Sequence, residues 1–380
     1  MIPFIRPYFD IDDFRAVKEV MQSGWVAQGP KVEEFEEAVA EYLGCRYVIS
    51  VTNCTTALTL SLMALGIGKG DEVIVPDFTF PATALAVTNV GATPVLVDVG
   101  IKDYNIRTGL IEASLSKRTK AIIPVHLFGL ACDMHEINSL ACTHGLYVIE
   151  DAACSLGTEI NVYGSEETGQ LKAGIMGDIG CFSLHAQKGI TTGEGGLVCT
   201  NNELLADKIR QLSSFGDERA YRRGKTGTDF NFDPQAGNYK MSDITAAIGL
   251  SQLKKIDKLI DWRIKIAEEW NDIIGNDEFL SRSIITVPRI VKDHTHIYQS
   301  YVSVCYPGQR PAVMDYMKEK GFTTGIGTHA CHVYDGIASR LNRASHLPNS
   351  KYLYENAISF PRYYGLNVKE EWGNAKKSRI

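Results

Sequence analysis

Residues 72–98 read Glu72-Val-Ile-Val-Pro-Asp-Phe-Thr-Phe-Pro-Ala-Thr-Ala-Leu-Ala-Val-Thr-Asn-Val-Gly-Ala-Thr-Pro-Val-Leu-Val-Asp98. Two short apolar runs, 72–76 and 93–98, flank a helix-like segment around 82–89. Strands with such nearly continuous Val, Ile and Leu are typical of a parallel sheet that is covered by helices on both faces. The stretch therefore predicts a β-α-β unit and an α/β fold.

The same alternation of helices and strands continues on both sides of this unit. Further helices are expected over residues 10–24, 31–43, 55–65, 203–223 and 243–260, and further strands over residues 47–51, 121–125, 146–150, 180–184 and 196–200. The predicted architecture is a large domain, residues 1–255, with a mostly parallel central sheet and N-terminal helices within 10–43. A smaller C-terminal α+β domain is predicted for residues 256–380.

Composition narrows the class of protein. The chain has 380 residues, 44% of them hydrophobic and 22% charged, which is ordinary for a soluble globular protein. A formal net charge of −6 without a basic patch argues against nucleic acid or an anionic membrane as partner. No apolar segment reaches the roughly 20 residues that span a bilayer, and no signal peptide is recognised. Nine scattered cysteines predict a reducing, cytoplasmic compartment and no metal site.

Lys188 is the most informative residue of the chain. It lies between the apolar run 180–184 and a turn rich in glycine and threonine. A desolvated lysine has a lowered pKa and attacks carbonyl carbons, for example to form a Schiff base with pyridoxal phosphate. The alternative is an ordinary solvated lysine, which describes most lysines in proteins.

Other side chains that this coenzyme needs are expected near the same place. Ligand sites of parallel sheets lie at the carboxyl ends of the strands, where His126 and Asp151 are also predicted. Asp151 could pair with the pyridine nitrogen of the coenzyme, which makes the ring an electron sink, or it could cap a helix. Its neighbour Glu150 is expected to be structural.

Residues 52–56 are predicted to open a helix and to form an anion site. Thr55 and Thr56 could bind phosphate there, with the hydroxyl of Ser183 added, although threonine is also a common helix cap. Phe80 could stack on the coenzyme ring or could belong to the core.

Ten motifs, in chain order, carry a resemblance to a known family. They are Gly24-Trp-Val-Ala-Gln-Gly-Pro30, Gly70-Asp-Glu-Val-Ile-Val-Pro76, Gly91-Ala-Thr-Pro-Val95, Pro124-Val-His-Leu-Phe-Gly129, Glu150-Asp-Ala-Ala153, Phe182-Ser183, Lys188, Thr192-Gly-Glu-Gly-Gly196, Asn238-Tyr-Lys-Met241 and Ala246-Ala-Ile-Gly249. With them, the chain from about residue 3 to about residue 366 resembles the DegT/DnrJ/EryC1/StrS family. These are nucleotide-sugar aminotransferases that depend on pyridoxal 5'-phosphate and have fold type I.

The resemblance implies an activity and a role for individual residues. The enzyme would move an amino group from an amino acid, L-glutamate by expectation, to a nucleotide-linked keto-sugar, in amino-sugar, cell-surface polysaccharide or antibiotic sugar biosynthesis. Lys188 would bind the coenzyme and then move a proton, and Asp151 would pair with the ring nitrogen. The coenzyme would also contact Thr55, Thr56, Phe80, Cys154, Ser183 and, from the partner subunit of a homodimer with shared active sites, Asn238. Candidate substrate contacts are Trp25, His185, Arg219, Arg222 and His329.

Some residues depart from the family pattern. Cys154 stands where the family usually has Gln or His against the phenolic oxygen of the coenzyme, and Cys54 replaces a glycine of the phosphate loop. The C-terminal residues 372–380 show no clear amphipathic helix. His329 could contact the sugar or only pack the small domain.

The alternatives to a sugar aminotransferase are a non-catalytic or regulatory protein that binds the coenzyme, or another pyridoxal-phosphate reaction on the same fold. The sequence encodes neither the nucleotide nor the carbon that is aminated.

Overall fold

A seven-stranded sheet with helices on both faces forms the centre of the molecule. The structure, a computed structural model, describes residues 1–163, 168–217, 232–287, 295–341 and 346–377. The strands are β1 (Tyr47–Val51), β2 (Glu72–Pro76), β3 (Thr93–Val97), β4 (Thr119–Ile122), β5 (Tyr147–Asp151), β6 (Glu159–Tyr163), β7 (Thr168–Lys172), β8 (Ile179–Ser183), β9 (Gly196–Thr200), β10 (Ile284–Thr286), β11 (Tyr301–Cys305), β12 (Gly325–Ile326) and β13 (Ala357–Phe360).

The helices of the described residues include two near the N-terminus and a long one, residues 256–276, that runs from the large sheet to the second sheet. They are α1 (Ile11–Ser23), α2 (Pro30–Leu43), α3 (Cys54–Ala64), α4 (Ala82–Asn89), α5 (Met134–His144), α6 (Glu203–Ser213), α7 (Asp243–Leu253), α8 (Ile256–Asn276), α9 (Glu278–Ser283), α10 (Arg310–Glu319), α11 (Asp335–Ala338), α12 (Pro348–Asn356) and α13 (Val368–Lys377). None of them is both long and apolar enough to cross a membrane.

The central sheet is mostly parallel, as predicted. Its strand order is β1-β9-β8-β5-β4-β2-β3. Strands β8, β5, β4, β2 and β3 pair in parallel, whereas β9 runs antiparallel to both β1 and β8. The parallel strands are buried on both faces, which explains their continuous apolar composition. The predicted fold class, an α/β protein of fold type I, is confirmed.

A second, antiparallel sheet has the order β10-β11-β13-β12. Its core gathers around the fully buried Trp270 of α8, whose indole nitrogen donates to the carbonyl of Pro361 over 2.9 Å. Helix α8 packs its first turns against the large sheet's helices and its later turns against this second core. The domain boundary after residue 255, which falls just before α8, stays a prediction.

Three sequence-based helix predictions were wrong. Residues 243–260 do not form one helix, since α7 ends at Leu253 and α8 begins at Ile256. Helix α6 ends at Ser213 rather than at 223, because Phe215 and Gly216 take positive φ values of 60° and 89°, which a helix cannot contain. Residues 372–380 were expected to lack a clear helix, yet α13 extends to Lys377 and buries Trp372 against Trp270, with ring centroids 6.3 Å apart.

Glu150 holds a loop in place beneath the sheet edge. Its buried carboxylate accepts hydrogen bonds from the ring of His126 at 2.7 Å and from the backbone N–H groups of Gly174, Met176 and Gly177. His126 is itself fully buried and accepts from the N–H of Cys132. These bonds fix the segment between β7 and β8, directly upstream of the strand that leads to Lys188.

Replacing Glu150 by alanine should therefore cost stability. We expect a loss of about 3–5 kcal/mol in the free energy of unfolding, because the buried donors would lose their acceptor. Urea unfolding curves measure this loss. The matched control is Glu278→Ala, which removes an exposed ion pair with Arg282 and should cost less than about 1 kcal/mol. Equal losses in the two variants would contradict the structural role of Glu150.

Candidate active site

The carboxyl ends of β1, β2, β5 and β8 meet at one edge of the central sheet. The segments that leave these strands are the start of α3, the loop 77–81, the turn 152–158 and the turn 184–195. Gly196 lets two of these segments come together, since a Cβ atom there would lie 2.3 Å from the carbonyl carbon of Asn53. The edge therefore gathers the side chains that the sequence singled out at strand ends.

Lys188 is half-buried on the turn after β8. Its amine donates to the thiol sulfur of Cys154 over 3.2 Å, and its backbone N–H donates to the carbonyl of His185 over 2.9 Å. Burial lowers the pKa of the Lys188 amine, but nearby Cys154, Cys54 and Asp151 raise it, and the net pKa lies above the ordinary value for lysine. The predicted lowering of this pKa is wrong, because electrostatic neighbours outweigh burial.

Asp151 ends β5 and is only 5% exposed. One carboxylate oxygen accepts from the hydroxyl of Thr83 at 2.8 Å and the other from the N–H of Ala153 at 3.2 Å. Burial raises the pKa of Asp151, although these two hydrogen bonds and the Lys188 charge act in the opposite direction. Among the described residues, no cationic side chain lies within 4.0 Å of it. Residues 152–163, which follow it and are described, contain no helix, so the helix-cap alternative is wrong.

Helix α3 presents its N-terminus to the same edge. The side chain of Asn53 caps the helix by accepting from the N–H of Thr56 over 2.8 Å. The N–H groups of Cys54 and Thr55 have no acceptor among the described residues, as expected for the first turn of a helix. Thr55 and Thr56 are half-buried beside them, and Ser183 is buried at the end of β8. This arrangement can bind an anion.

Phe80 lies in the loop after β2 with 63% of its surface exposed. The core alternative for Phe80 is therefore wrong, and Phe78 fills the core instead. The ring of His329 packs edge-on to Phe80 with the centroids 5.7 Å apart. Burial lowers the pKa of His329, whose Nδ1 lies 2.5 Å from the hydroxyl of Tyr334.

The remaining predicted residues are less closely connected. His185 lies three residues before Lys188 on the same turn and is 3.9 Å from the carboxylate of Glu194. Trp25, between α1 and α2, and Asn238 are both exposed. No hydrogen bond or ion pair among the described residues joins either of them to Lys188 or Asp151. Arg219 and Arg222 lie outside the described residues.

Sequence reasoning missed Thr83, Gln299 and Arg263. Thr83 lies in the first turn of α4 and holds Asp151, and its position after a strand end was the only signal that could have found it. The side chain of Gln299 donates to the carbonyl of Gln187 over 2.9 Å. Arg263 donates to the carbonyls of Lys188 and Gly189, each over 2.8 Å, and so supports the turn that carries the lysine. No pattern in the sequence marks such long-range contacts.

The segment 328–332, which follows strand β12 of the second sheet, is hydrogen-bonded to the loop after β2. The buried carboxylate of Asp77 accepts from the backbone N–H of His332 at 2.8 Å and lies 2.6 Å from its ring nitrogen Nδ1. Thr79 donates its N–H to the carbonyl of His329 over 3.0 Å. His332 therefore anchors the segment that brings His329 to Phe80.

The His332 contact predicts a pH dependence of stability. The hydrogen bond with Asp77 raises the pKa of His332 above its ordinary 6.5, so the folded protein binds this proton more tightly than the unfolded chain does. The resulting stability is fully present below about pH 6.5 and is lost as the pH rises through the folded pKa. Unfolding free energies of the wild type and His332→Gln should thus differ most at acid pH.

Asp77→Asn supplies the control for this measurement. We compare the free energies of unfolding of Asp77→Asn and of the double variant Asp77→Asn/His332→Gln. Their difference should not shrink with rising pH, because the partner carboxylate of His332 is gone. A difference that grew with pH in the wild-type background would contradict the assignment.

Within the described residues, no group of three or more His, Cys, Asp or Glu side chains is placed to hold a metal ion. The candidate groups at this edge are an amine, a buried carboxylate, the N-terminus of a helix and an exposed aromatic ring.

Known proteins are similar to this chain in sequence and in fold. The model of the DegT/DnrJ/EryC1/StrS aminotransferase family matches residues 7–371. The spore coat polysaccharide biosynthesis protein SpsC of Bacillus subtilis is 34% identical over 376 residues, which cover 96% of this chain and 93% of SpsC.

Two solved structures illustrate the similarity of fold. The aminotransferase TlmJ from Streptoalloteichus hindustanus is 27% identical, with a TM-score of 0.88 and coverage of 100% of this chain and 98% of TlmJ. Helicobacter pylori PseC, an aminotransferase involved in the biosynthesis of pseudoaminic acid, is 26% identical, with a TM-score of 0.86 and coverage of 99% and 97%. The resemblance found in the motifs is confirmed, and the chain belongs to the DegT/DnrJ/EryC1/StrS aminotransferase family, transaminases of sugar and polysaccharide biosynthesis.

Proposed function

We propose that this transaminase uses pyridoxal 5'-phosphate to move an amino group from L-glutamate to the keto group of a nucleoside-diphosphate sugar. One observation carries the proposal: Asp151, a buried carboxylate without a cationic partner among the described residues, ends β5, and the Lys188 amine lies on the turn that follows the neighbouring parallel strand β8. The products would be an amino sugar, for cell-surface polysaccharide or antibiotic biosynthesis, and 2-oxoglutarate.

The side chains present fit pyridoxal phosphate. A protonated ring nitrogen would give Asp151 the charged partner that it lacks among the described residues. The acceptor-free N–H groups of Cys54 and Thr55 at the start of α3 suit a phosphate. The exposed ring of Phe80 offers a face on which a flat aromatic group can stack. When bound, the coenzyme supplies an electron sink for the carbanion that forms at the amino-acid carbon.

Lys188 would have two tasks. Its Nζ atom would bind the coenzyme covalently and, once the substrate amine has released it, would move a proton from the amino-acid carbon to the C4′ carbon of the coenzyme. Cys154, 3.2 Å from Nζ, is positioned to influence this step.

Other residues would bind and orient. Thr55, Thr56 and Ser183 would hold the phosphate of the coenzyme, and Phe80 would cover its ring. We propose that Trp25, His185, His329, Arg219 and Arg222 contact the substrate; the two arginines suit a diphosphate because guanidinium groups match its geometry.

We also propose a homodimer with shared active sites, in which Asn238 of one subunit reaches the phosphate bound by the other. The exposed apolar side chains along and after α1, namely Ile11, Phe14, Met21 and Trp25, support an interface on that face. Mixing inactive Lys188→Ala subunits with impaired Asn238→Ala subunits should restore activity, since each mixed dimer contains one site with both native residues. An absence of any recovery in verified mixed dimers would contradict the shared site.

A reducing compartment is consistent with the cysteines. All nine are unpaired, and most are buried. We propose that the enzyme works in the cytoplasm, where thiols stay reduced.

The reaction can be tested in two halves. Purified protein is mixed with L-glutamate alone, and the coenzyme's absorption spectrum and released 2-oxoglutarate are measured. Nucleotide-linked keto-sugars are then added to the amino form in a panel that varies the nucleotide and the keto position. We expect glutamate to change the spectrum and one keto-sugar to restore it with formation of an amino sugar. A spectrum that responds to no amino acid, or an amino form that no keto-sugar discharges, would contradict the proposal.

A further inference from the structure

Two arginines lie beneath the turn that carries Lys188. Arg263 of α8 reaches the carbonyls of Lys188 and Gly189 with its Nη2 atom. Arg362 follows β13, is 4% exposed, and donates from Nε to the carbonyl of Gln299. Its guanidinium also lies over the ring of Phe4, 5.0 Å from the ring centroid. The contacts that these two cations make with described residues are thus contacts with neutral groups.

Their positive charges are not neutralised within the described parts of the chain. No Asp or Glu oxygen there lies within 4.0 Å of either guanidinium, and the buried Nη1 atom of each arginine has no acceptor. Burial lowers the pKa of Arg263 to about 10, and burial together with the Arg263 charge lowers that of Arg362 to about 9. Both therefore remain cations at neutral pH. Arg362 is buried and Arg263 is half-buried, and the buried Nη1 donors of these two like charges are costly to leave unused unless an anion joins them.

A small cavity lies between these groups. Its volume is about 30 Å³, and its lining includes Lys188, Gly189, Arg263, Gln299, Arg362 and Tyr364. This volume is enough for one small group, such as a water molecule or a small anion.

We propose that Arg263 and Arg362 bind a small monovalent anion, a carboxylate or a halide, next to the Lys188 turn. The planar fork of a guanidinium matches such an anion, and the unused Nη1 donors supply the contacts. The anion has two possible sources. It is either a free ion such as chloride or the carboxylate of the amino donor; only the second assignment rests on the proposed function. In both cases the anion neutralises the pair and fixes the turn that positions Lys188.

Chloride NMR line widths test the proposal on the full-length protein as purified. Chloride is titrated at constant ionic strength against wild type, Arg362→Met and the control Arg282→Met, whose side chain is exposed and pairs with Glu278. We expect saturable line broadening in the wild type and the control, at least tenfold weaker binding in Arg362→Met, and displacement of chloride by acetate. Wild-type protein without a saturable component overturns the proposal whether or not Arg362→Met folds, and so does equal binding in a folded Arg362→Met.

Competition with L-glutamate identifies the source. Displacement of chloride by glutamate at far lower concentrations than by acetate assigns the site to the amino donor. Displacement at similar concentrations assigns it to a free anion. If glutamate leaves the coenzyme spectrum unchanged while chloride still binds, the proposed reaction fails and the anion site stands.

Discussion

Replacing Lys188 by alanine is expected to lower the transamination rate by roughly four orders of magnitude, the upper end for loss of a positioned acid–base group. The variant loses both the covalent attachment and the amine that moves the proton. Loss of the amine should lower kcat and kcat/KM together, since it acts in the transition state. Steady-state kinetics with glutamate and the accepted keto-sugar measure the effect.

The matched control is Lys120→Ala, which removes an exposed lysine on the parallel strand β4 and should keep the wild-type rate. Added methylamine should restore part of the activity of Lys188→Ala, because a free amine can replace the missing base. A Lys188→Ala enzyme that turned over at the wild-type rate would contradict the role of this residue.

Replacing Asp151 by asparagine is expected to separate activity from stability. The rate should fall about 10²- to 10³-fold, as for the loss of other fixed electrostatic contacts to a reacting group, because an amide cannot keep the ring nitrogen protonated. The stability of the protein without coenzyme should not fall, because burial disfavours the charged carboxylate that the substitution removes.

The pH dependence of the free energy of unfolding shows whether Asp151→Asn is more stable or less stable than the wild type. The folded pKa of Asp151 lies above its ordinary 3.8, so the wild type loses stability as the pH rises from 3.8 through the folded value. The advantage of Asp151→Asn in urea unfolding should therefore grow over that interval. Asp315→Asn, an exposed change on α10, should alter neither rate nor stability. A fully active Asp151→Asn would contradict the proposed contact with the ring nitrogen.

The sequence located the central sheet well because its strands are buried on both faces. Strands β1, β2 and β9 lie where the apolar runs predicted them, and α4 does too. The apolar pattern failed where the backbone conformation of a single residue decides where a helix ends. Phe215 is an example, because its positive φ ends α6 early. The apolar pattern also failed to predict the break between α7 and α8 at residues 254–255.

The candidate site was predictable to the extent that its residues follow strand ends. Lys188 and Asp151 both do. Thr83, by contrast, meets Asp151 from 68 residues away, and Arg263 meets Lys188 from 75 residues away, so only the folded chain shows these contacts. The direction of the Lys188 pKa shift was wrong for the same reason, since it depends on Cys154 and Cys54 from other elements.

Borohydride reduction followed by peptide mass mapping tests the central claim most directly. Reduction makes a bond between the coenzyme and a lysine permanent, and the peptide masses then show which lysine carries it. We predict that the coenzyme is found on the peptide that contains Lys188 and on no other. Coenzyme attached to a different lysine, or protein that takes up none when pyridoxal phosphate is supplied, would contradict the account.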